Sequence, residues 1–473
     1  MKNNKSQSNI KKYSILFILI FTFVFLSVPL LRFFSNQHLA GSEPYYHLRI
    51  SELLHNKITN YDDLGFSGRP YYLNLNHLVL SRFNNILFFV MFLPMLFGLL
   101  SVFIFYKIID SYGIEKKHNM LICLILASSP VFIFTFTIYN LYFLPIFLLL
   151  LSLFFLLRDN LVVPAICLAL LPLFNIVLVP FALLLLFIYY TKYKKKGFTL
   201  LIASLSFTSI LYYFIIYYPL TLPQMLNLQT QPFLSYFVSD FGSDFGFSAF
   251  MLLLGIIGFY KSWRNKRDYL YIYIITFSLL AASYFFTKAN IFLNFFIVLF
   301  SALAVVSMLN MNWKLELVKK ATILLVVCGL LFSSVSYFNR LLKMEPSNEQ
   351  VNSIIYMKGD SANKDIVLSY YKNGFWIEYF AEKPTMLDEY IYYAPNLKNR
   401  YNASQAIFYS RSLDSTKKLL DNYNVKYIWI DEKMKSGLVW NKEEQGLLFL
   451  LQNKETFKNI YNSSEVEVWK YLK

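Results

Sequence analysis

Up to Phe338 the chain alternates long apolar runs with short polar breaks, the pattern of helices that cross a bilayer. At roughly 20 apolar residues per crossing, it predicts about eleven spans, at 13–33, 86–108, 120–137, 141–157, 162–173, 176–190, 199–218, 247–260, 269–286, 291–309 and 321–338. The fifth and sixth divide one run at Pro172 and Asn175. The first run is too long for the apolar core of a signal peptide and has no small-residue cleavage site, so a retained anchor is expected. Beyond 338 the runs shorten and begin to alternate. This region reads as a strand at 366–371, a helical turn at 374–380, an amphipathic helix at 415–422, a second strand at 425–431, a helix at 442–452 and a hairpin of 457–461 with 466–471. The expected fold is a multi-spanning α-helical membrane bundle over 1–338, followed by a small extracytoplasmic α/β domain over 339–473.

Composition agrees with a membrane chain: 57% of residues are hydrophobic and only 15% charged. The basic residues set the orientation. Lys2, Lys5, Lys11 and Lys12 precede the first span, and later clusters are Lys116-Lys117, 192–196, Lys261-Arg264-Lys266-Arg267 and Lys314-Lys319-Lys320. With about eleven crossings every cluster falls on one side, which is therefore cytoplasmic. The N-terminus is then inside, and the C-terminal region outside a multi-pass cell-membrane protein. The net charge of +16 reflects this topology and anionic lipid headgroups, so no nucleic-acid partner is expected. Cys123, Cys167 and Cys328 all fall inside predicted spans and read as packing residues.

Most of the chain's 28 acids lie beyond 338. Before that point chemistry needing a carboxylate must choose among Glu43, Glu52, Asp62, Asp63, Asp110, Glu115, Asp159, Asp240, Asp244, Asp268 and Glu316. Two outer loops, 35–85 and 219–246, form the expected active face. In the first, Glu43-Pro44-Tyr45-Tyr46-His47-Leu48-Arg49 follows the first span at headgroup level. A carboxylate there can take a proton from an acceptor nucleophile or hold a divalent ion against a phosphate. Arg49, two turns along a helix predicted over 45–55, suits a phosphate. Tyr46 belongs to an interfacial aromatic pair, and His47 suits a phosphate or a neighbouring acid. His38, His47, His55 and His77 share this loop, yet no pair has the helical metal-site spacing of four. The second loop carries Gln224, Gln229, Gln231, Asp240 and Asp244; of the two acids, Asp244 reads as a helix cap and Asp240 as the functional one. Asn140 marks a short neutral turn between the third and fourth spans and is a further substrate-facing candidate.

Together these residues resemble the C-type (GT-C) membrane glycosyltransferases, specifically the archaeal oligosaccharyltransferase catalytic subunit. The resemblance is carried by Gly41-Ser42-Glu43-Pro44-Tyr45-Tyr46-His47-Leu48-Arg49, where the family usually has Asp at the position of Glu43, by Ser129-Pro130 and by Asp240. In the C-terminal region it is carried by the stretch from Val367 to Ile377, similar to the family's WWDYG region, and by Val425-Lys426-Tyr427-Ile428-Trp429. The chain departs from the family at Tyr139-Asn140-Leu141, where an acidic metal-binding motif stands, and at Tyr370-Tyr371-Lys372-Asn373-Gly374, which lacks the motif's Asp.

The resemblance implies transfer of a sugar from a polyprenyl- or dolichyl-phosphate carrier to a glycan, lipid or protein acceptor at the outer membrane face. Glu43 and Asp240 would be catalytic, and Tyr46, His47, Arg49, Asn140 and Asp244 substrate-binding. Glu43 would also be the metal ligand if a divalent cation (Mg or Mn) takes part. The alternatives are an oligosaccharyltransferase acting on protein Asn, a lipid-linked sugar transporter or flippase, and a catalytically inactive scaffold. Asn402-Ala403-Ser404 and Asn462-Ser463-Ser464 are acceptor sequons in the expected outer domain.

Overall fold

The computed structural model describes residues 2–35, 37–57, 59–71, 73–112, 116–193, 197–217, 233–267, 269–359 and 365–472. Gln224, Gln229 and Gln231 lie outside the described residues. The chain forms two compact units, Met1–Arg32 with Phe88–Tyr213 and Gln229–Lys343, and Phe33–Leu87 with Phe214–Leu228 and Met344–Lys473.

The first unit is built of apolar helices. Among the described residues four are long and apolar enough to cross a membrane: Ile86–Ser111, Phe198–Ile216, Thr287–Asn310 and Glu316–Leu342. Two bent pairs raise the number to six, Tyr13–Leu26 with Val28–Phe34 (51°) and His118–Ala127 with Pro130–Thr137 (62°). Shorter apolar helices run over Phe143–Leu156, Val162–Phe174, Ile176–Phe187, Ala249–Ser262 and Leu270–Phe285. As expected, the break between the second and third of these falls at Asn175, whose side chain accepts from the Val177 N–H.

Both bends have the same cause. Pro29 and Pro130 lack an N–H and crowd the preceding turn, so each helix is interrupted just before them. Among apolar neighbours the freed groups need partners. The Ser334 hydroxyl donates to the Ser128 carbonyl (2.5 Å) and the Ser129 hydroxyl to Asn294 Oδ1 (2.7 Å), which ties the second bend to two later helices. Small residues bring other helices into backbone contact: a Cβ at Gly258 would lie 1.7 Å from the Phe300 carbonyl oxygen. The Ser301 hydroxyl donates to the Met251 carbonyl (2.8 Å) across the same pair.

The second unit contains a four-stranded sheet of order β3-β4-β6-β5. β3 (Ile366–Leu368) lies parallel to β4 (Val425–Asp431), while β4 and β5 (Phe457–Asn462) each pair antiparallel with β6 (Val466–Tyr471). β4 is a nearly unbroken apolar run: Ile428 and Ile430 pack with Ile407, Leu420 and Trp440, and the buried Trp429 indole donates to the Ser353 hydroxyl (2.9 Å). The α/β character and the terminal hairpin match the sequence reading. The first strand is shorter than expected, and the expected 442–452 helix contracts to Leu447–Leu450. Gly446 sits there at φ 56°, ψ −122°, where a helix cannot continue. Helices Asn348–Gly359 and Leu397–Tyr409 are additional to the sequence reading. A two-stranded ribbon, β1 (Tyr61–Asp62) with β2 (Arg69–Pro70), completes the unit.

Candidate functional site

The Glu43–Asn56 helix begins where its sequence favours a start. Pro44 costs nothing in the first turn because the N–H it lacks has no partner there. Glu43 places a negative charge at the positive end of the helix dipole. Tyr46, Ile50 and Leu54 repeat every fourth residue and form one apolar stripe, packed with Tyr71 and Phe375. Tyr46 is a core residue, 5% exposed, its ring 4.7 Å from that of Tyr390 and 5.0 Å from that of Phe375. Little of it is left for a ligand.

A second stripe carries the chemistry. The Glu43 side chain is only 15% exposed, and its Oε1 lies 3.7 Å from His47 Nε2, one turn on. His47 Nδ1 is 2.7 Å from His77 Nε2, and both rings are buried. Burial, followed by the His47 ring, pushes the His77 pKa well down, so His77 is neutral. One proton lies between the two rings. Where His77 Nε2–H donates to His47 Nδ1, the His47 Nε2–H faces the Glu43 carboxylate. At the start of the same helix the Ser42 hydroxyl donates to Glu389, a second carboxylate.

Arg49 is occupied differently from the sequence expectation. Its terminal nitrogens donate to Asp62 (2.5 and 2.8 Å) and to Glu378 (2.7 Å), all of them buried. Arg69 pairs with Asp388 (2.9 Å) and approaches Asp62 (3.6 Å), with its guanidinium over the Phe66, Tyr46 and Tyr390 rings. Two cations thus face three carboxylates, one more anion than the pairs can balance. Burial, reinforced by Asp388 and Asp62 against the pull of Arg49, pushes Glu378 up to about 8. Burial also raises Asp388. Burial opposes the charge on Asp62 too, but Arg49, Arg69 and the Leu64 N–H outweigh it and hold the carboxyl well below the usual range. Glu378 therefore holds a proton at neutral pH. Its other oxygen accepts from the Thr385 hydroxyl (2.6 Å), a group that can also accept from the protonated acid.

The first unit holds Asp240, Asp244 and Asn140. The capping acid is Asp240 and not Asp244, the one the sequence reading expected. Asp240 Oδ2 accepts from the Ala249 N–H (2.8 Å) and so caps the Ala249–Ser262 helix. Asp244 is exposed, and its carbonyl accepts from the Tyr337 hydroxyl (2.5 Å). Arg340 donates to the Ser239 and Ser243 carbonyls (2.8 and 2.5 Å), and the Asn290 amide to that of Phe245 (2.9 Å). Asn140 is fully buried; its amide donates to Thr135 and Ile138 carbonyls and its oxygen accepts from the Tyr142 N–H. It forms the turn rather than facing a ligand.

Glu378, Asp388, Arg69 and His77 were not singled out from the sequence. One signal was available: Glu378 is a lone acid inside Phe375-Trp376-Ile377-Glu378-Tyr379-Phe380, a place where burial without a partner would be costly. Among the described residues no group of three or more His, Cys, Asp or Glu could hold a metal ion. Asp62, Glu378 and Asp388 are committed to guanidinium groups, so these three carboxylates do not offer a donor set to a divalent cation.

No family model matches the chain, and no curated protein does. Solved structures do. Archaeal oligosaccharyltransferase AglB from Archaeoglobus fulgidus, in complex with an inhibitory peptide and a dolichol-phosphate, superposes with TM-score 0.66 at 14% identity, over 98% of this chain and 74% of that one. The Archaeoglobus fulgidus oligosaccharyltransferase complex with Zn and sulfate gives 0.64 at 14%, over 97% and 73%. The chain has the GT-C fold. ArnT from Cupriavidus metallidurans bound to undecaprenyl phosphate shares it at TM-score 0.52 and 11% identity, over 97% of each chain. At such identities the likeness is one of fold, and the GT-C resemblance read from the sequence holds at that level.

Proposed function

We propose that the protein is a membrane glycosyltransferase that moves a sugar from a polyprenyl-phosphate carrier to an acceptor at the outer membrane face. The observation that carries this reading is Glu43: a largely shielded carboxylate at a helix N-terminus, backed by two hydrogen-bonded imidazoles, in a GT-C fold. The fold neighbours add support, one having been solved with a dolichol-phosphate and another with undecaprenyl phosphate.

In this reading Glu43 is the general base. It takes the acceptor's proton as the acceptor atom bonds to the anomeric carbon; the bond from that carbon to the carrier oxygen breaks, and polyprenyl phosphate leaves with inversion. The helix dipole favours the charged carboxylate before the step. His47 orients it through Nε2–H, and His77 sets the His47 tautomer. Arg49 and its carboxylates act as positioning residues that fix the helix. Asp244 and the exposed part of Asp240 remain as substrate-facing groups of the 219–246 segment. No step is routed through a metal, although one fold neighbour was crystallised with Zn.

The accompanying topology has the four long helices, two bent pairs and five shorter apolar helices as eleven crossings. The N-terminus is inside and the 339–473 region outside, as the basic clusters favour. Glu43→Gln tests the function. Transfer from a lipid-linked donor in proteoliposomes should fall by about 10²- to 10⁴-fold, the usual worth of a general base, with expression unchanged; full activity would remove the assignment. A second reading, transfer to protein Asn, is favoured by the likeness to a peptide-bound oligosaccharyltransferase. Glycosylation of a sequon peptide, assayed with and without Mn²⁺, separates it from transfer to a glycan or lipid.

A further inference from the structure

The two sequons noted in the sequence have unlike surroundings. Asn402 lies inside the Leu397–Tyr409 helix with its side chain exposed, but Ser404 is buried at 2% exposure. A helix turning once every 3.6 residues sets positions i and i+2 roughly 200° apart, so amide and hydroxyl face away from each other. Bringing them together would unwind a helix whose Ile407 and Phe408 are wholly buried in the sheet's core.

Asn462 is the last residue of β5, and Ser464 lies in the turn to β6. Both are exposed. The turn closes with the Ser463 N–H donating to the Val466 carbonyl (2.9 Å) and the Val466 N–H to Ser463 Oγ (3.2 Å), so its backbone is already folded without the Asn462 or Ser464 side chain. The Ser464 hydroxyl makes one exposed contact, to Glu349 (3.3 Å), which a competing donor or acceptor can replace.

We propose that Asn462, and not Asn402, is a site of N-linked glycosylation. The donor is a lipid-phosphate-linked glycan and the catalyst a sequon-reading transferase. The Asn462 Nδ2 bonds to the anomeric carbon, the bond from that carbon to the carrier phosphate oxygen breaks, the amide proton passes to the transferase's base, and the lipid phosphate leaves. The proposal rests on the outer placement of the C-terminal region proposed above, not on this protein's own activity.

The experiment is peptide mass spectrometry of the full-length chain purified from its own cells. The Asn462 peptide carries a glycan mass, Asn462→Gln and Ser464→Ala each abolish it, and the Asn402 peptide is bare. An unmodified Asn462, or occupancy at Asn402 equal to that at Asn462, overturns the site. A parallel arm separates site from placement: Ser463→Cys, with Cys123, Cys167 and Cys328 replaced by Ser, is probed in intact cells with a membrane-impermeant maleimide. Labelling without a glycan in the Asn462 chain rejects the site and leaves the placement standing. No labelling rejects the placement and the site with it.

Discussion

The two units satisfy their buried and half-buried arginines in opposite ways. In the first, Arg32 donates to the Leu341 and Leu342 carbonyls (3.3 and 2.7 Å) and Arg340 to those of Ser239 and Ser243. In the second, Arg49 and Arg69 meet Asp62, Glu378 and Asp388. A chain poor in acids over its apolar stretch uses the oxygens every backbone supplies, and places cations against helix and loop carbonyls. The polar unit has carboxylates available and uses them in excess. The carbonyls of the first solution do not titrate. The second makes stability depend on a proton.

The largest effect that would sharpen the contrast is expected from Arg49→Met. It leaves Asp62 and Glu378 buried beside a single remaining guanidinium, and breaking such a pair costs about 3–5 kcal/mol. Thermal unfolding in detergent should show a marked loss of stability. Arg340→Met comes next. The side chain is only part-buried and its carbonyl partners are neutral, so the loss is expected nearer that of a single such hydrogen bond, about 1.5–3 kcal/mol, in the same measurement. An Arg340 loss equal to that of Arg49 would erase the distinction between the two solutions.

The smallest effect per unit is pH dependence. Because Glu378 is raised from 4.5 to about 8, the folded state binds more protons than the unfolded between those values. Its contribution to stability is therefore fully present at acid pH and is lost as pH rises through this window, at no more than about 1.4 kcal/mol per pH unit for one proton. His77 runs the other way, since its depressed pKa lets stability rise with pH up to its ordinary range. The quantity to measure is accordingly the difference between the parent and Glu378→Gln across pH 5 to 9, in which His77 cancels. Parallel curves would mean that the cluster holds no titrating proton there.

Local signals in the sequence carried the fold a long way. The Val425–Asp431 strand and the terminal hairpin stand where period-two patterning put them, and the break at Asn175 was visible as a polar interruption after Pro172. Glu43 and His47 were found because they lie in one short stretch just past the first span, where acids are scarce. Their deeper partners were out of reach: Arg49 and Glu378 are separated by 329 positions, and Arg69 and Asp388 by 319. No periodicity links residues so far apart. That Asp240, and not Asp244, does the capping has a related origin. A cap reaching back nine positions to Ala249 is invisible to a rule that looks only at the residue just before a helix.

Gly258 against Phe300 has a mechanical corollary. Where main chain rests on main chain there is no side chain to change rotamer, so the Ala249–Ser262 and Asn290–Asn310 helices cannot slide past each other by small adjustments and must travel as one rigid pair. Whatever yielding the bundle allows falls to places already broken by proline, ahead of Pro29 and of Pro130.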